Sequence, residues 1–466
     1  MSSQQLIVLL FGCLYFLFIF YSRRKGDFED FSVAGRKLGV FLIFASLSAS
    51  IIGPFMTMGL SREGYNTGFL LSGIATLNGV VLFFVAFFIA PKIRKKFTDS
   101  YSIGDVIGGP KSHNHPIIRL ASGVISFWMM ASICIAMSYA GGELINNVFG
   151  FPKRLSIVII SSIVMAYSFF GGIRASIQTD AFQFICFLIL IPVLGLSMIF
   201  SEGFSFPALA NSISTSTAAA YDAQTATGLL GLILFWVLSA GFDSMYINRY
   251  LASKNEGVSR KATFLTGIFI IGWILLMLFI GSTGKLLHPA LDPNSDQLLL
   301  HIAAFHYSGA IYGIFIIAML GVVMSTQDST LNSAAVSLSE DILLTIKPDI
   351  TQTQKLHYAR WSTIGIGLLS IFIAAYIDSI LETIMIIFSI YAPMMIPVIL
   401  FSTFLKRHYW PAALGSMFAG LFGYFIWEFM ALASAFPTIL FALMASSLSY
   451  LGIHKLSTMK IRQDKI

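Results

Sequence analysis

The sequence predicts an all-α polytopic membrane protein with about 13 transmembrane helices. Of its 466 residues, 56% are hydrophobic and only 11% are charged, and the mean hydropathy is +0.81. A soluble domain would carry about 25% charged residues. Apolar runs of about 20 residues recur along the whole chain, and each is long enough to cross a bilayer as a helix. The composition therefore leaves no room for a sizeable soluble domain.

The apolar runs can be placed in order as thirteen spans. They cover approximately residues 5–22, 38–60, 68–90, 117–148, 154–170, 175–200, 227–248, 261–284, 309–338, 361–377, 381–404, 411–432 and 435–452. The first span has no basic segment before it, and the basic cluster SRRK follows it. This order predicts a retained N-terminal anchor and not a cleaved leader.

The Lys and Arg residues are distributed unequally between the two sides of the predicted membrane. All but four of the 29 fall in one set of loops. The opposite loops carry Arg62, Lys153, Arg154 and Lys285. The positive-inside rule assigns the basic side to the cytoplasm, with the N-terminus outside and the C-terminus in the cytoplasm. This orientation also explains the net charge of +7 without a nucleic-acid partner.

Two spans contain helix-breaking residues at mid-membrane depth. In span two, Gly53-Pro54 interrupts the apolar run, and proline removes a backbone donor and disfavours helix just before it. The carbonyls from Ala49 to Ile52 would then be free to bind a ligand, although a simple proline kink accounts for the same pattern. In span seven, Ser239-Ala240-Gly241 precedes Asp243. Both spans are therefore candidates for discontinuous helices.

The two interrupted spans are the first members of two five-span blocks, spans 2–6 and 7–11. Because five is odd, the second block starts from the opposite side of the membrane. This arrangement is an inverted-topology repeat, typical of secondary transporters in which broken helices meet at a midplane site.

Ionisable residues inside spans are costly and mark candidate functional sites. Asp180 lies near the start of span six, where the alternative is a carboxylate favoured by the helix dipole. Asp328 lies in span nine, where the alternative is an exposed vestibule position. Asp243 and Arg249 are interpreted as a gate or structural pair. Trp236 is either a core residue or part of a substrate site.

The segment VVMSTQDSTLNSA, residues 322–334, places many polar side chains directly after an apolar run. Ser325 and Thr326 share one helical face with the carbonyl of Val322. Oxygen ligands suit a hard cation such as Na⁺, and the freed carbonyls of span two would supply the remaining ligands. The alternative is that these hydroxyls bond to carbonyls of their own helix and pack against neighbouring helices.

Motifs of enzymes and ATP-driven machines are not found in the sequence. It contains no GxSxG, Walker or kinase motif, and its histidines lack metal-binding spacing. We therefore expect neither an enzyme nor a chain that pumps with ATP on its own.

Four segments resemble motifs of the sodium:solute symporter family, which includes the sodium–proline, sodium–galactose, sodium–sialic acid and sodium–choline symporters. They are FSVAGRKLGVFLIFASLSA, GGIRASIQTDAFQ, FDSMYINRYLASK and VVMSTQDSTLNSA. The resemblance covers nearly the whole chain and implies a LeuT-type five-plus-five inverted repeat with discontinuous helices. We divide the chain into an N-terminal helix and first cytoplasmic loop (1–37), a first five-helix repeat (38–210), a second, inverted repeat (226–404), and two accessory helices with a short tail (405–466).

The resemblance also implies sites for a coupling ion, Na⁺, and for a solute. The main Na⁺ site would use the carbonyls of Ala49, Ile52 and Val322 and the hydroxyls of Ser325 and Thr326. A second Na⁺ site, known in some members, would use Asp180, Ser325, Asp328 and Ser329. An Asp at 328 adds charge relative to members with serine there. The solute site would be lined by Gly53, Phe55, Met56, Asn78, Trp236, Ala240 and Tyr391.

These features predict a Na⁺-coupled secondary active symporter that imports a small organic solute by alternating access. Met56 replaces the polar Gln of sugar transporters, and span four lacks the Arg of sialic acid transporters, which favours a small amino acid, another zwitterion or an organic cation. A sugar, sialic acid or monocarboxylate is the alternative substrate. An ion channel or a transporter-like sensor is the alternative from another class. The expected location is a bacterial inner membrane, with the solute and the lipid bilayer as partners and no obligatory protein partner.

Overall fold

The computed structural model describes residues 2–21, 26–108, 115–376, 380–405, 409–433 and 435–463. In this part of the chain the regular structure is helical, apart from one isolated parallel bridge between Leu38 and Ser253. Several residues of the basic loops lie outside the described ranges. They are Arg23, Arg24, Lys25, Lys111, Lys406, Arg407 and Lys465.

The described residues of the first half form eleven helices, two π-helical turns and a short 3-10 turn. The helices are α1 (Ser3–Tyr21), α2 (Phe28–Val33), α3 (Val40–Ile51), α4 (Leu60–Thr67), α5 (Phe69–Ala75), α6 (Leu77–Phe84), α7 (Ala90–Lys96), α8 (Ile103–Gly108), α9 (Pro116–Phe149), α10 (Lys153–Ile199) and α11 (Phe206–Asp222). The 3-10 turn is Ala34–Arg36, and the π-helical turns are Phe55–Gly59 and Val85–Ile89. The second π-helical turn joins α6 to α7, so that α5, α6 and α7 form one span, Phe69–Lys96.

Where the second half is described, it continues with ten helices and a longer π-helical segment, Ser337–Leu343. The helices are α12 (Ala226–Leu238), α13 (Ser244–Ala252), α14 (Glu256–Leu287), α15 (Leu298–His306), α16 (Gly309–Val336), α17 (Leu344–Ile346), α18 (Gln352–Ala374), α19 (Ile380–Phe404), α20 (Trp410–Phe429) and α21 (Thr438–Gln463). Helices α11 and α15 lie where the sequence analysis placed no span.

Predicted spans five and six lie in one long helical stretch, α10. A straight helix of its 47 residues would be about 70 Å long, which is more than twice the hydrocarbon thickness of a bilayer. Gly172 interrupts it with φ 56° and ψ −159°, values that an L side chain rarely adopts. This break divides α10 close to the predicted boundary between the two spans.

By length and composition, eight helices of the described chain can cross a membrane, or ten if each of two sharply bent helix pairs counts as one span. Large apolar side chains such as Phe87, Leu188 and Phe372 are exposed on the surface of the bundle. Such side chains are stable where lipid replaces water. The expected total of thirteen spans stays a prediction.

Among the long apolar spans of the described chain, the one that contains α16 has the largest buried share. Every residue from Phe315 to Val336 is buried, and α1, α3, α9, α10 and α18 pack around it. The polar segment 322–334 is therefore enclosed by protein, and its hydroxyls and carboxylates must be satisfied by neighbouring helices. The vestibule alternative for Asp328 does not agree with this position, because Asp328 is completely buried.

Candidate ion and solute site

The break in span two lies directly beside α16. Helix α3 ends at Ile51, and the chain bends by 65° before continuing through Phe55–Thr67. Pro54 has no N–H group for the carbonyl of Ser50, four residues earlier. Gly53 allows the close approach of α16, because a Cβ atom at this position would lie 2.5 Å from Thr326 Oγ1. The sequence therefore predicted the break correctly, and it is more than a simple kink.

Uncharged oxygen atoms from α3 and α16 meet at this break, and we call them the oxygen cluster. The hydroxyl of Ser325 donates to the carbonyl of Ala49 at 2.9 Å and to that of Val322 at 3.1 Å. The hydroxyl of Thr326 lies 3.0 Å from the carbonyl of Ser50 and 3.3 Å from that of Val322. The cluster thus consists of three carbonyls and two hydroxyls, all from buried residues.

Four of the residues expected in the main Na⁺ site lie in the oxygen cluster. Ile52, the fifth, is the C-terminal cap of α3, and its carbonyl accepts a hydrogen bond from Thr57 Oγ1 at 2.6 Å. Ser50 contributes a carbonyl from the stretch that was expected to be freed, 49–52, although the expected set of Na⁺ ligands did not include it. It follows from the position of Pro54, since proline leaves the carbonyl four residues earlier without its helical partner.

A second polar group of α16, one turn further along, contains charged side chains, and we call it the charged cluster. Arg249 and Asp180 are both completely buried and form an ion pair with Nη2 and Oδ2 3.2 Å apart. The guanidinium also donates to Ser46 at 3.0 Å, to Ser50 at 2.8 Å, and to Ser329. With the carbonyl of Met245, to which Nη1 donates at 3.2 Å, the positive charge of Arg249 is surrounded by one carboxylate, three hydroxyls and one carbonyl.

Asp328 completes the charged cluster on the side of α10. Its carboxylate accepts hydrogen bonds from Ser176 and Tyr167, each at 2.9 Å. Of the residues expected in a second Na⁺ site, Asp180, Asp328 and Ser329 thus lie in the charged cluster, whereas Ser325 belongs to the oxygen cluster. The alternative that Asp180 caps a helix does not hold, because Asp180 lies within α10 and pairs with Arg249.

Asp243 and Arg249 were expected to form a gate or structural pair. Arg249 pairs instead with Asp180, from a distant part of the chain. Asp243 caps the N-terminus of α13, where its Oδ1 accepts from the backbone N–H groups of Met245 at 2.8 Å and Tyr246 at 3.2 Å. The separation of the two residues reflects the helix geometry, since a capping carboxylate faces the N-terminal N–H groups and Arg249 lies in the last turn of α13.

An aromatic cavity of about 60 Å³ lies between the two broken spans. Phe55 stacks on Trp236 with ring centroids 5.4 Å apart, and Phe235 meets both rings edge-on. Phe388 of α19 packs edge-on against Phe235. The polar lining includes Asn78, whose amide donates to Ser239 Oγ at 3.0 Å, and the carboxyl of Asp243.

Most residues expected in the solute site line this cavity. These are Gly53, Phe55, Met56, Asn78 and Trp236. Ala240 is buried within the second break, and Tyr391 supports that break by donating to the carbonyl of Phe242 at 3.1 Å. The sequence analysis missed Phe235, Ser239 and Phe388 as lining residues. Phe235 and Ser239 each directly precede a predicted residue in the sequence, but Phe388 becomes adjacent only through the packing of α19.

Two polar atoms of the cavity lining are buried without a hydrogen-bond partner in the described part of the chain. They are Oδ2 of Asp243 and Oδ1 of Asn78. Unpaired acceptors are costly when buried. A bound solute with N–H groups would satisfy both atoms.

The cavity and the oxygen cluster share residues. Ser50, Gly53 and Thr326 all line the cavity, and they also form or flank the oxygen cluster. A ligand that moves the broken span at the oxygen cluster therefore also changes the shape of the cavity, and the reverse is equally true.

Comparisons with known proteins agree with this architecture. The chain is 24% identical over 445 residues to a sodium/proline symporter of Staphylococcus aureus, covering 91% of this chain and 85% of that protein. Its structure resembles that of a Na⁺-coupled sialic acid symporter with a TM-score of 0.82 at 14% identity, covering 97% of both chains. It also resembles Mhp1, a nucleobase-cation-symport-1 family transporter, with a TM-score of 0.59 at 13% identity, covering 92% of this chain and 95% of Mhp1.

These proteins are transporters and not enzymes, and the structural likenesses show the same LeuT-type fold of helices. The family model for sodium:solute symporters matches residues 31–420, which is most of the chain. The expected fold class and family resemblance are thereby confirmed. The protein belongs to the sodium:solute symporter family.

Proposed function

We propose that the protein couples inward movement of Na⁺ to uptake of a small solute that carries an ammonium group, such as an amino acid or another zwitterion. The observation that carries this proposal is the double role of Thr326, whose hydroxyl belongs to the oxygen cluster while its side chain lines the aromatic cavity. An ion bound at the first site would thus help to shape the second.

The oxygen cluster is proposed to bind the transported Na⁺. It offers hydroxyl and carbonyl oxygens, which hard cations prefer, and it contains no carboxylate that would hold a cation too tightly for release. The proposed ligands are the carbonyls of Ala49 and Val322 and the hydroxyls of Ser325 and Thr326. The carbonyl of Ser50 is in place to join them, and that of Ile52 could do so after breaking its bond to Thr57.

Coupling would follow from the position of the ion between the two repeats. The carbonyl of Ala49 belongs to α3 of the first repeat, whereas the carbonyl of Val322 and both hydroxyl ligands belong to α16 of the second. Na⁺ bound between them would hold the broken span in the shape that completes the cavity, and its release would let the helices separate. A ligand that binds one conformation better shifts the population toward it, and broken helices at a midplane site serve this purpose in secondary transporters.

The cavity is proposed to bind a small ammonium-bearing solute. A volume of about 60 Å³ holds about four water molecules, which favours a small solute over a sugar acid. The free Oδ2 of Asp243 can accept from an ammonium group, and the faces of Trp236 and Phe55 attract cations. The proline-transporting relatives in Staphylococcus aureus support an amino acid, and Asn78 and Ser239 supply neutral polar groups for its carboxylate.

The charged cluster is proposed not to bind a second Na⁺. The guanidinium of Arg249 already donates to Asp180, Ser50 and Ser329. A tethered cation at this position takes the oxygens that a second Na⁺ would need, so one Na⁺ would accompany each solute.

The orientation proposed for transport follows from the charge of the loops. The basic side would face the cytoplasm of a bacterial cell and the N-terminus would lie outside. The oxygen cluster and cavity would then be filled from outside and emptied toward the basic loops.

A thermal-shift screen on the purified protein tests both parts of the proposal, because a ligand raises the melting temperature of the state that it binds. The solutes are proline, betaine, galactose and sialic acid, each in NaCl and in matched KCl. We expect proline or betaine to stabilise the protein, and to do so more strongly in NaCl. Equal stabilisation in KCl would contradict sodium coupling, whereas stabilisation by galactose or sialic acid alone would overturn the proposed solute class.

A further inference from the structure

Two histidines meet on the face of the protein that carries Arg62 and Lys285, far from the oxygen cluster in the fold. His288 follows the last residue of α14, and His306 is the last residue of α15. Their Nε2 atoms face each other at 3.4 Å. Both side chains are half-buried, so solvent and ions can reach them.

The spacing of these nitrogens fits a tetrahedral metal ion. Zinc binds imidazole nitrogen with bonds of about 2.0–2.1 Å, which places two nitrogens of one tetrahedron about 3.3 Å apart. The observed Nε2–Nε2 separation of 3.4 Å closely matches this distance. Imidazole nitrogen suits Zn²⁺, Cu²⁺ and Ni²⁺, whereas Mg²⁺ and Ca²⁺ prefer oxygen.

Neighbouring groups hold both rings in this orientation. Nδ1 of His306 lies 3.2 Å from the hydroxyl of Ser201, just beyond the end of α10. A metal-binding histidine usually has such a partner at its other ring nitrogen. The ring of His288 stacks on Phe305 with centroids 4.1 Å apart, and its carbonyl accepts from Tyr65 Oη at 3.0 Å.

The protonation state of the pair also suits a metal ion. Burial lowers the pKa of both imidazoles, and the neighbouring His288 lowers the pKa of His306 further. Metal ions bind the neutral form of histidine, and a lowered pKa favours that form.

We propose that His288 and His306 form a binding site for a divalent transition-metal ion of the zinc class, with water in the remaining coordination positions. The ion would join the end of α14 to the end of α15. Helix α15 packs against α4, which is the second half of the broken span, and against α10 and α16. A metal bridge would therefore restrain the outer part of the broken span and slow the transport cycle.

The test uses the purified full-length protein, with Zn²⁺ alone as the probe and its melting temperature as the readout. We expect Zn²⁺ to raise the melting temperature, EDTA to reverse the effect, and Mg²⁺ to have none. His288→Ala and His306→Ala should each shift the Zn²⁺ concentration at half-effect upward by about tenfold or more, since even the loss of an outer-shell partner costs about 10–100-fold in metal affinity. His301→Ala, which removes another half-buried histidine of α15, is the matched control and should respond as the unaltered protein does.

Two results would overturn the proposal. The absence of any Zn²⁺ effect in the unaltered protein would mean that the two rings share only a hydrogen bond. An unchanged half-effect concentration in both variants would place the zinc elsewhere. His306→Gln retains a polar side chain of similar size, and it provides the same comparison if an alanine variant melts too low to be measured. None of these readouts depends on sodium or solute, so the outcome is independent of the proposed transport function.

Discussion

Two polar clusters lie on α16, one helical turn apart, and they differ in whether a positively charged side chain is part of the cluster. The oxygen cluster at Ser325 and Thr326 contains only neutral oxygens, and its partners are backbone carbonyls of a broken helix. The charged cluster at Asp328 and Ser329 lies among carboxylates and hydroxyls, together with the guanidinium of Arg249. Both clusters are rich in the oxygens that cations prefer, but only the second already holds a cation.

This difference shows why the residue types of α16 do not by themselves identify an ion site. Judged from residue type alone, the Ser and Asp side chains at 325–329 could all be ligands of a cation. A mobile ion needs ligands that can bind and release it, which a neutral set at a conformational break provides. A buried carboxylate whose counter-ion is another side chain of the protein, as Arg249 is for Asp180, is a structural element, because separating buried charges is costly.

The largest effect on transport is expected for Gly53→Ala. A Cβ atom here would lie 2.5 Å from Thr326 Oγ1 and 3.2 Å from Thr326 Cβ, so the broken span and α16 must move apart. Overpacking of this kind costs about 1–3 kcal/mol, and it displaces a proposed Na⁺ ligand as well as the cavity wall. We expect loss of measurable Na⁺-driven uptake into proteoliposomes.

The control for this variant is Gly272→Ala on α14, where an added Cβ meets no atom within 4 Å. This variant should transport normally. If Gly53→Ala also transports normally, the close contact between Gly53 and Thr326 is not required for transport. That result would contradict the role that distinguishes the oxygen cluster from the charged cluster.

The second prediction concerns the charges of the charged cluster. Arg249→Gln would leave Asp180 and Asp328 buried without their cation, whereas Asp180→Asn would leave one carboxylate with one guanidinium. Removing one partner of a buried pair costs about 3–5 kcal/mol, so Arg249→Gln should lower the melting temperature much more than Asp180→Asn. Na⁺ should partly restore the stability of Arg249→Gln, because the ion can then bind beside Asp180 and Asp328 in the place of the missing guanidinium.

The measurement is thermal unfolding of both variants in NaCl and in KCl. Equal destabilisation by the two substitutions would mean that Arg249 is not the cation that balances both carboxylates. A stronger destabilisation by Asp180→Asn would also contradict the prediction, because the buried guanidinium would then depend more on Asp180 than the two carboxylates depend on the guanidinium.

The third prediction removes hydroxyls from the oxygen cluster. Ser325→Ala and Thr326→Val each delete one proposed ligand, and the loss of a hydrogen-bond-scale contact to a charged group costs about 1.5–3 kcal/mol. The half-saturating Na⁺ concentration for uptake should therefore rise roughly ten- to hundredfold. Ser339→Ala is the control, since that hydroxyl bonds to carbonyls of its own helix. If the variants at 325 and 326 behave like the control, the hydroxyls of Ser325 and Thr326 only pack helices together and do not bind Na⁺.

The smallest effect is expected in the aromatic cavity. Trp236→Leu removes a ring that stacks on Phe55 and that can attract an ammonium group, an interaction of about 0.5–2 kcal/mol. The KM for the solute should rise roughly two- to thirtyfold, with little change in half-saturating Na⁺. Trp236→Phe should retain most of the affinity. Trp361→Leu, at an exposed position on α18, is the matched control and should leave the KM unchanged.

The sequence was sufficient to predict the parts of the site that depend on local chemistry. Proline and glycine mark the break at 53–54, and the spacing of Val322, Ser325 and Thr326 follows from helix geometry. The same holds for the division of α10, where Gly-Gly at 171–172 separates two apolar runs.

The remaining parts of the site depend on packing between distant segments. Arg249 of α13 pairs with Asp180 of α10, 69 residues away in the sequence, and nothing in the local sequence distinguishes that partner from Asp243, which is nearer along the chain. Phe388 enters the cavity only because α19 lies against the second break. Helix α15 and the contact between His288 and His306 likewise follow from the folded arrangement of an outer segment that carries no transmembrane signal.

The central claim is that one mobile Na⁺ accompanies each solute because Arg249 occupies the second cluster. It is tested most directly by the equilibrium accumulation of a zwitterionic solute in proteoliposomes with the membrane potential clamped at zero. One Na⁺ moving down a tenfold gradient releases about 1.4 kcal/mol, enough for about tenfold accumulation, and two would give about hundredfold. We predict accumulation equal to the Na⁺ concentration ratio. Accumulation that follows the square of that ratio would contradict this account.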